Sequence, residues 1–104
     1  MLMTTTNTVD GRAIADYVGI VSAQVVLGVN AFKDVGAGMR NIFGGRSKSY
    51  ENELSAGVAH ALDELEKQGA AAGGAGIVGI DVDYETVGTN MLMISASGTA
   101  VTFA

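Results

Sequence analysis

The run Gly44-Gly45-Arg46-Ser47-Lys48-Ser49-Tyr50-Glu51 sets two glycines, a guanidinium and a hydroxyl just ahead of the one long amphipathic pattern in the chain. Glycine reaches backbone angles closed to other residues, and the free N–H groups at a helix start attract negative charge. Gly44, Gly45, Arg46 and Ser47 are therefore a candidate ligand-binding set for a small anion, phosphate or carboxylate. Lys48 follows Ser47 instead of preceding it, so the spacing departs from that of a nucleotide-binding phosphate loop. A turn into the helix, with Ser47 or Ser49 as cap and Arg46 bonding a neighbouring subunit, accounts for the same residues.

Asp81, Asp83 and Glu85 alternate along one segment, which on a strand puts them on one face about 7 Å apart in succession. Oxygen ligands of this kind suit hard cations, and a solvated strand face explains them equally. His60 is the one histidine and falls opposite the apolar stripe of its helix, with Glu64 one turn on and Glu53 two turns back. Asp81, Asp83, Glu85 and His60 are the alternative, metal-ligating set. Soft metals favour thiolates and several imidazoles, and the chain has no cysteine. The five methionines, Met91 and Met93 among them, read as apolar filling. With a single, exposed imidazole no serine can belong to a nucleophilic triad, so no catalytic residue is assigned and an enzyme is the least supported class.

Composition narrows the partners. The net charge of −5 and six scattered basic residues argue against nucleic acid. Hydrophobic residues make up 48% and charged residues 16%, below the usual quarter or so, a deficit that favours association with further copies of the chain. Met1-Leu2-Met3 and the threonines that follow lack the pattern of a signal peptide, and the apolar run from Tyr17 to Phe32 is interrupted by Ser22, Gln24 and Asn30. The expectation is a single domain over residues 1–104, soluble and cytoplasmic, with no cofactor and no membrane partner.

These residues need elements to position them. Leu2–Thr6 reads as a short strand and Asn7–Gly11 as a turn. From Ile14 to Val29, Val21, Ala23, Val25, Leu27 and Val29 form an apolar face, while Val18, Ile20, Ser22, Gln24 and Val26 form a mixed one. Laid straight, that strand would run about 53 Å, against a radius of gyration of about 13 Å for a globule of this length. A bend or bulge near Gly19 or Gly28, or a reach into a neighbouring chain, is therefore expected. Ala31–Phe43 allows a short broken helix. From Ser47 to Gln68, Tyr50, Leu54, Val58, Ala61, Leu62 and Leu65 recur at helical spacing, and Gly69 reads as the stop. Ile77–Val87 alternates Val78, Ile80, Val82 and Tyr84 against the acids. Gly88-Thr89-Asn90 turns it into a final strand, Met91–Phe103, with Leu92, Ile94, Ala96 and Ala100 on one face. The fold class is α+β, an antiparallel or mixed sheet with one long amphipathic helix on one face. One helix leaves the other face bare, and Val18, Ile20, Val26, Met91 and Met93 on it call for cover by another subunit.

Gly11, Tyr17-Val18-Gly19, Gly28-Val29-Asn30, Asp34, Gly44-Gly45-Arg46-Ser47, Tyr50-Glu51, Gly79-Ile80-Asp81, Asp83-Tyr84 and the segment Met91–Val101 together resemble the YbjQ-like family over nearly the whole chain. The family consists of small, uncharacterised bacterial and archaeal proteins that carry a heavy-metal-binding label. The resemblance implies a dodecin-like subunit and a homopentameric ring, and no catalytic residues are carried over. Where the family reads Gly-Ala-Asn-Ala before the third strand, this chain has Gly73-Gly74-Ala75-Gly76, so a looser loop is expected there. The function expected is that of a non-enzymatic homo-oligomer that binds a small anion at subunit boundaries, with metal-ion binding or sequestration as the alternative.

Overall fold

Alternation of apolar and polar residues decides which side of each strand meets the helix. The computed structural model describes residues 1–28, 48–88 and 91–104. In chain order these form β1 (Leu2–Met3), β2 (Ile14–Leu27), α1 (Lys48–Ala71), β3 (Gly76–Val87) and β4 (Met91–Phe103). The strands make one four-stranded mixed sheet in the order β1-β3-β4-β2. β1 is parallel to β3, and both β3 and β2 are antiparallel to β4. The expected α+β class is observed.

On β2, Val21 and Ala23 are buried and Val25 and Leu27 partly so, whereas Ile20, Ser22, Gln24 and Val26 are exposed. The expected bend occurs near Gly19: the register slips between Ile14 and Asp16 and again between Tyr17 and Gly19. Gly19 takes a φ of 151°, which side-chain-bearing residues rarely adopt. The compactness estimate needs correction. The Cα radius of gyration is 16.5 Å and the extents are 52 × 25 × 16 Å, so the subunit is an elongated slab. A strand of this length lies along its long axis without leaving the chain.

Helix α1 presents Gly57, Ala61, Leu65 and Gly69, four residues apart and all buried, flanked by the half-buried Leu54, Val58 and Leu62. The core beneath it comprises Val21, Ala23, Ala61, Leu65, Ile77, Ile80, Ile94, Ala96 and Ala100. Gly69 is not the helix stop. It faces Ile77, where a Cβ would lie 2.7 Å from Ile77 Cδ1, and the helix continues to Ala71. The stop is Gly73 at φ 91°: Gly74 N–H donates to the Gly69 carbonyl at 2.9 Å and Gly73 N–H to that of Ala70 at 3.0 Å. This pair of bonds is a Schellman cap. The loop that follows is tied to β4 at its end. Ala75 N–H donates to the Val101 carbonyl at 2.8 Å, and a Cβ on Gly76 would lie 2.9 Å from the Phe103 ring.

β3 departs from simple alternation. Its register against β4 slips between Val78 and Asp81, and Gly79 there has φ 62°. The extra residue makes Ile77 the core residue before the bulge and Ile80 the one after it, so Val78 is buried outside the helix-facing cluster. Both freed N–H groups turn to the N-terminal segment: Gly79 donates to the Thr6 carbonyl at 2.8 Å and Ile80 to that of Thr4 at 3.1 Å. Regular β1 is thus shorter than Leu2–Thr6, because the threonines bond across a bulge.

Candidate functional site

The sheet face away from α1 holds the acidic row. Register places Asp81 beside Ser97 and Ser22, Asp83 beside Ser95 and Gln24, and Glu85 beside Met93 and Val26. Thr99 with Ile20, and Met91 with Val87, bound this patch at its two ends. The face is therefore polar in the middle and apolar at both ends. Ile20 is 87% exposed, Tyr17 70%, Val26 51%, Val18 38% and Met91 37%, while Met93 is half-buried.

Asp81, Asp83 and Glu85 share this face as their spacing predicts, all exposed. The Asp83 carboxyl is raised above its ordinary value, first by a hydrogen bond with Asp81 and then by the Asp81 charge, with desolvation and Glu85 adding to it. Crowded like charges favour the protonated form. β2 and β4 bring no charge beside the row, since the single charged residue on either strand is Asp16, near the far end of β2.

His60 does not join the row. It lies on the outer side of α1, across the sheet, with Nε2 4.0 Å from Glu64 Oε1. Its surroundings are a surface network in which Lys67 Nζ is 3.2 Å from Asp63 Oδ2 and 3.5 Å from Glu64 Oε1. Asp63, foremost, and Glu64 raise the Lys67 pKa. Among the described residues no three of His, Cys, Asp and Glu are placed to hold a metal ion. The alternative metal set is thus split between two layers of the fold. Gly44, Gly45, Arg46 and Ser47, together with the broken helix expected over 31–43, lie outside the described residues.

Two clefts escape sequence reasoning. α1 rests chiefly on β2 and β4 and meets β3 least. This leaves an open groove of about 460 Å³ lined by Leu54, Ser55, Val58, Ala59, Leu62 and Tyr84. A helix about 10 Å wide cannot cover three strands spaced about 4.8 Å apart, and that was the available signal. The second cleft, about 300 Å³, is lined by Leu2, Thr4, Thr6, Thr8, Val9 and Asp10. Two of its hydroxyls are engaged: Thr4 Oγ1 and Thr6 Oγ1 are 2.9 Å apart, and Thr6 Oγ1 donates to the Thr8 carbonyl at 2.7 Å. No polar or charged side chain is buried among the described residues, so neither cleft holds a desolvated acid or base.

A family model described as "Putative heavy-metal-binding" matches residues 1–104. The chain belongs to the YbjQ family. Three relatives, each named a UPF0145 protein, agree over nearly full length. That of Clostridium kluyveri is 52% identical over 97% of each chain, and that of Bifidobacterium longum 52% over 100% of this chain and 96% of its own. That of Corynebacterium jeikeium is 53% identical over 99% of each. None of these names describes an enzymatic activity. A crystal structure from Pediococcus pentosaceus, of a DUF74-family protein of unknown function, superposes with a TM-score of 0.71 at 22% identity over 100% of this chain and 98% of that one. The chain and the Pediococcus pentosaceus protein thus share a fold. No helix among the described residues is long and apolar enough to cross a membrane.

Proposed function

We propose that this YbjQ-family protein is a non-enzymatic, cytoplasmic homo-oligomer, a dodecin-like subunit in a pentameric ring whose copies shield the open sheet face. The observation that carries this reading is the exposure of Tyr17, Ile20, Val26 and Met91 on one side of a thin slab. Apolar patches of this kind mark interaction surfaces, and a chain with few charges has little else to keep them apart in water. Native mass spectrometry and sedimentation at micromolar concentration test it: a species of five chains is expected, and a monomer overturns it. The ligand role of this assembly is binding of a small anion at subunit boundaries through Gly44, Gly45, Arg46 and Ser47. Titration with inorganic phosphate, followed by calorimetry on the native protein and on Arg46→Ala, should give saturable heat that the variant loses.

One observation favours a second reading. The Asp81 and Asp83 carboxyls crowd one another enough to raise the Asp83 pKa, and a divalent cation would relieve that repulsion. In this reading the protein sequesters metal at Asp81, Asp83 and Glu85, in line with the description of the family. His60 takes no part, being on the other layer. Titration with Zn²⁺, Cu²⁺ and Ca²⁺ that yields no saturable heat disposes of it.

A further inference from the structure

The sheet has two long edges, and they are built differently. β3 is covered at its start by the N-terminal segment, and its remaining edge carries Asp81, Asp83 and Glu85. An antiparallel pairing of that edge with itself would set acids against acids, which is destabilising. The other edge is β2, 14 residues long, whose outer side has no partner strand among the described residues. Edges of this kind are normally blunted by lysine, proline, bulges or covering segments. β2 has no lysine or proline, and its register slips all fall before Gly19. From Ile20 to Leu27 its pairing with β4 is unbroken.

The residues of this regular stretch form a chemical palindrome about Ala23. If two copies pair antiparallel with Ala23 at the centre, Ile20 faces Val26 of the other copy and Ser22 faces its Gln24 on the open side. On the helix side Val21 faces Val25 and Ala23 faces Ala23. Apolar meets apolar, and a hydroxyl meets an amide able to donate and accept. Centring the pairing on Ser22 would instead oppose Ile20 to Gln24, and centring it on Gln24 would oppose Ser22 to Val26. Register is thus specified by side-chain matching, as it must be where strands pair without a connecting turn. The stretch carries no charge, so two identical copies approach without repulsion.

We propose that the outer edge of β2 is a two-fold contact, in which Ile20–Val26 of one copy pairs antiparallel with the same residues of a second copy and joins two sheets into one. The same patch on both partners is what a two-fold interface requires. The contact goes beyond the ring: it joins chains in pairs, and a ring of five that carries it joins a second ring as a species of ten.

Charge exchange tests it. Ile20 and Val26 are 87% and 51% exposed, so both tolerate substitution without loss of the fold. Native mass spectrometry of the unmodified chain at tens of micromolar should show even-numbered species, two or ten chains. Ile20→Lys and Val26→Glu should each weaken that association, roughly threefold to tenfold in dissociation constant. The double variant Ile20→Lys/Val26→Glu should recover it, because opposite charges then face each other twice across the axis. A native mass of five alone overturns the two-fold contact and leaves the ring intact. A double variant no stronger than the single ones overturns it as well, since loss of an apolar face by another mode of cover would not be repaired by the second charge.

Discussion

Gly98 lies against Ile77 with no room for a side chain: a methyl group at position 98 would fall 2.7 Å from Ile77 Cγ2, 3.1 Å from Ile80 Cγ1 and 3.1 Å from the Val78 carbonyl oxygen. The branch of an isoleucine cannot swing aside as a chain end can, and the carbonyl belongs to the bulged backbone of β3. Gly98→Ala is therefore expected to destabilise the fold by about 1–3 kcal/mol through overpacking. Thermal unfolding followed by circular dichroism should show a midpoint several degrees lower, about 4–8 °C per kcal/mol at this chain length. An unchanged midpoint would mean that the bulge accommodates a methyl group. Gly69→Ala should cost less, because the helix gains about 1 kcal/mol from replacing glycine and Ile77 Cδ1, 2.7 Å away, is a chain end.

Leu65 is fully buried and belongs to the one helix row that meets the sheet. Leu65→Ala should cost about 2–5 kcal/mol, from lost burial plus the cavity left behind. Urea denaturation should show a lower midpoint with an unchanged slope. Leu54→Ala, at the half-buried margin beside the groove, should cost clearly less. Equal losses would contradict the placement of the core under Leu65.

Gly73 ends α1 at φ 91° with open space around it, so backbone geometry alone disfavours a side chain there. Gly73→Ala should cost about 1–2 kcal/mol, the price of a left-handed conformation for an L-residue. Gly73→Asn should cost less, since asparagine tolerates that region. Thermal midpoints of the two variants should rank in that order, and the reverse order would argue against the cap.

The raised Asp83 pKa has a defined sign. The folded chain holds its proton to higher pH than the unfolded chain does, so stability falls as pH rises from below the ordinary 3.8 through the raised value and then levels. Asp83→Asn removes the like charge beside Asp81 and should raise the melting midpoint at pH 7. Its advantage should fade as pH falls below the raised Asp83 value, where the Asp83 carboxyl is itself neutral. A variant less stable than the parent at pH 7 would show that Asp83 makes a favourable contact that offsets Asp81.

Two-residue and helical periods carried most of the fold in the sequence. Val21, Ala23, Val25 and Leu27 mark one side of β2, and Leu54, Val58, Ala61, Leu62 and Leu65 mark one side of α1, because burial acts on every member of each series. Single glycines were not legible in the same way. Gly69 reads as a helix end, yet packing against Ile77 demands a residue without a side chain, and the stop is Gly73. Gly79 is the one mark of a bulge in an otherwise alternating run, and alternation by itself puts Val78 in the core where the bulge puts Ile77. Of the site residues, the acidic row was legible as a row, while its separation from His60 depends on which side of the sheet the helix occupies.

The bulge at Gly79 acts as a one-residue spacer between the two halves of β3. Were that residue paired in a regular ladder instead of bulged out, the remainder of the strand would fall out of phase, so that Asp81, Asp83 and Glu85 would turn to the core side while Ile80 and Val82 faced the other way. The left-handed backbone of Gly79, which lets one residue stand out of the ladder, thus sets which surface of the slab is acidic.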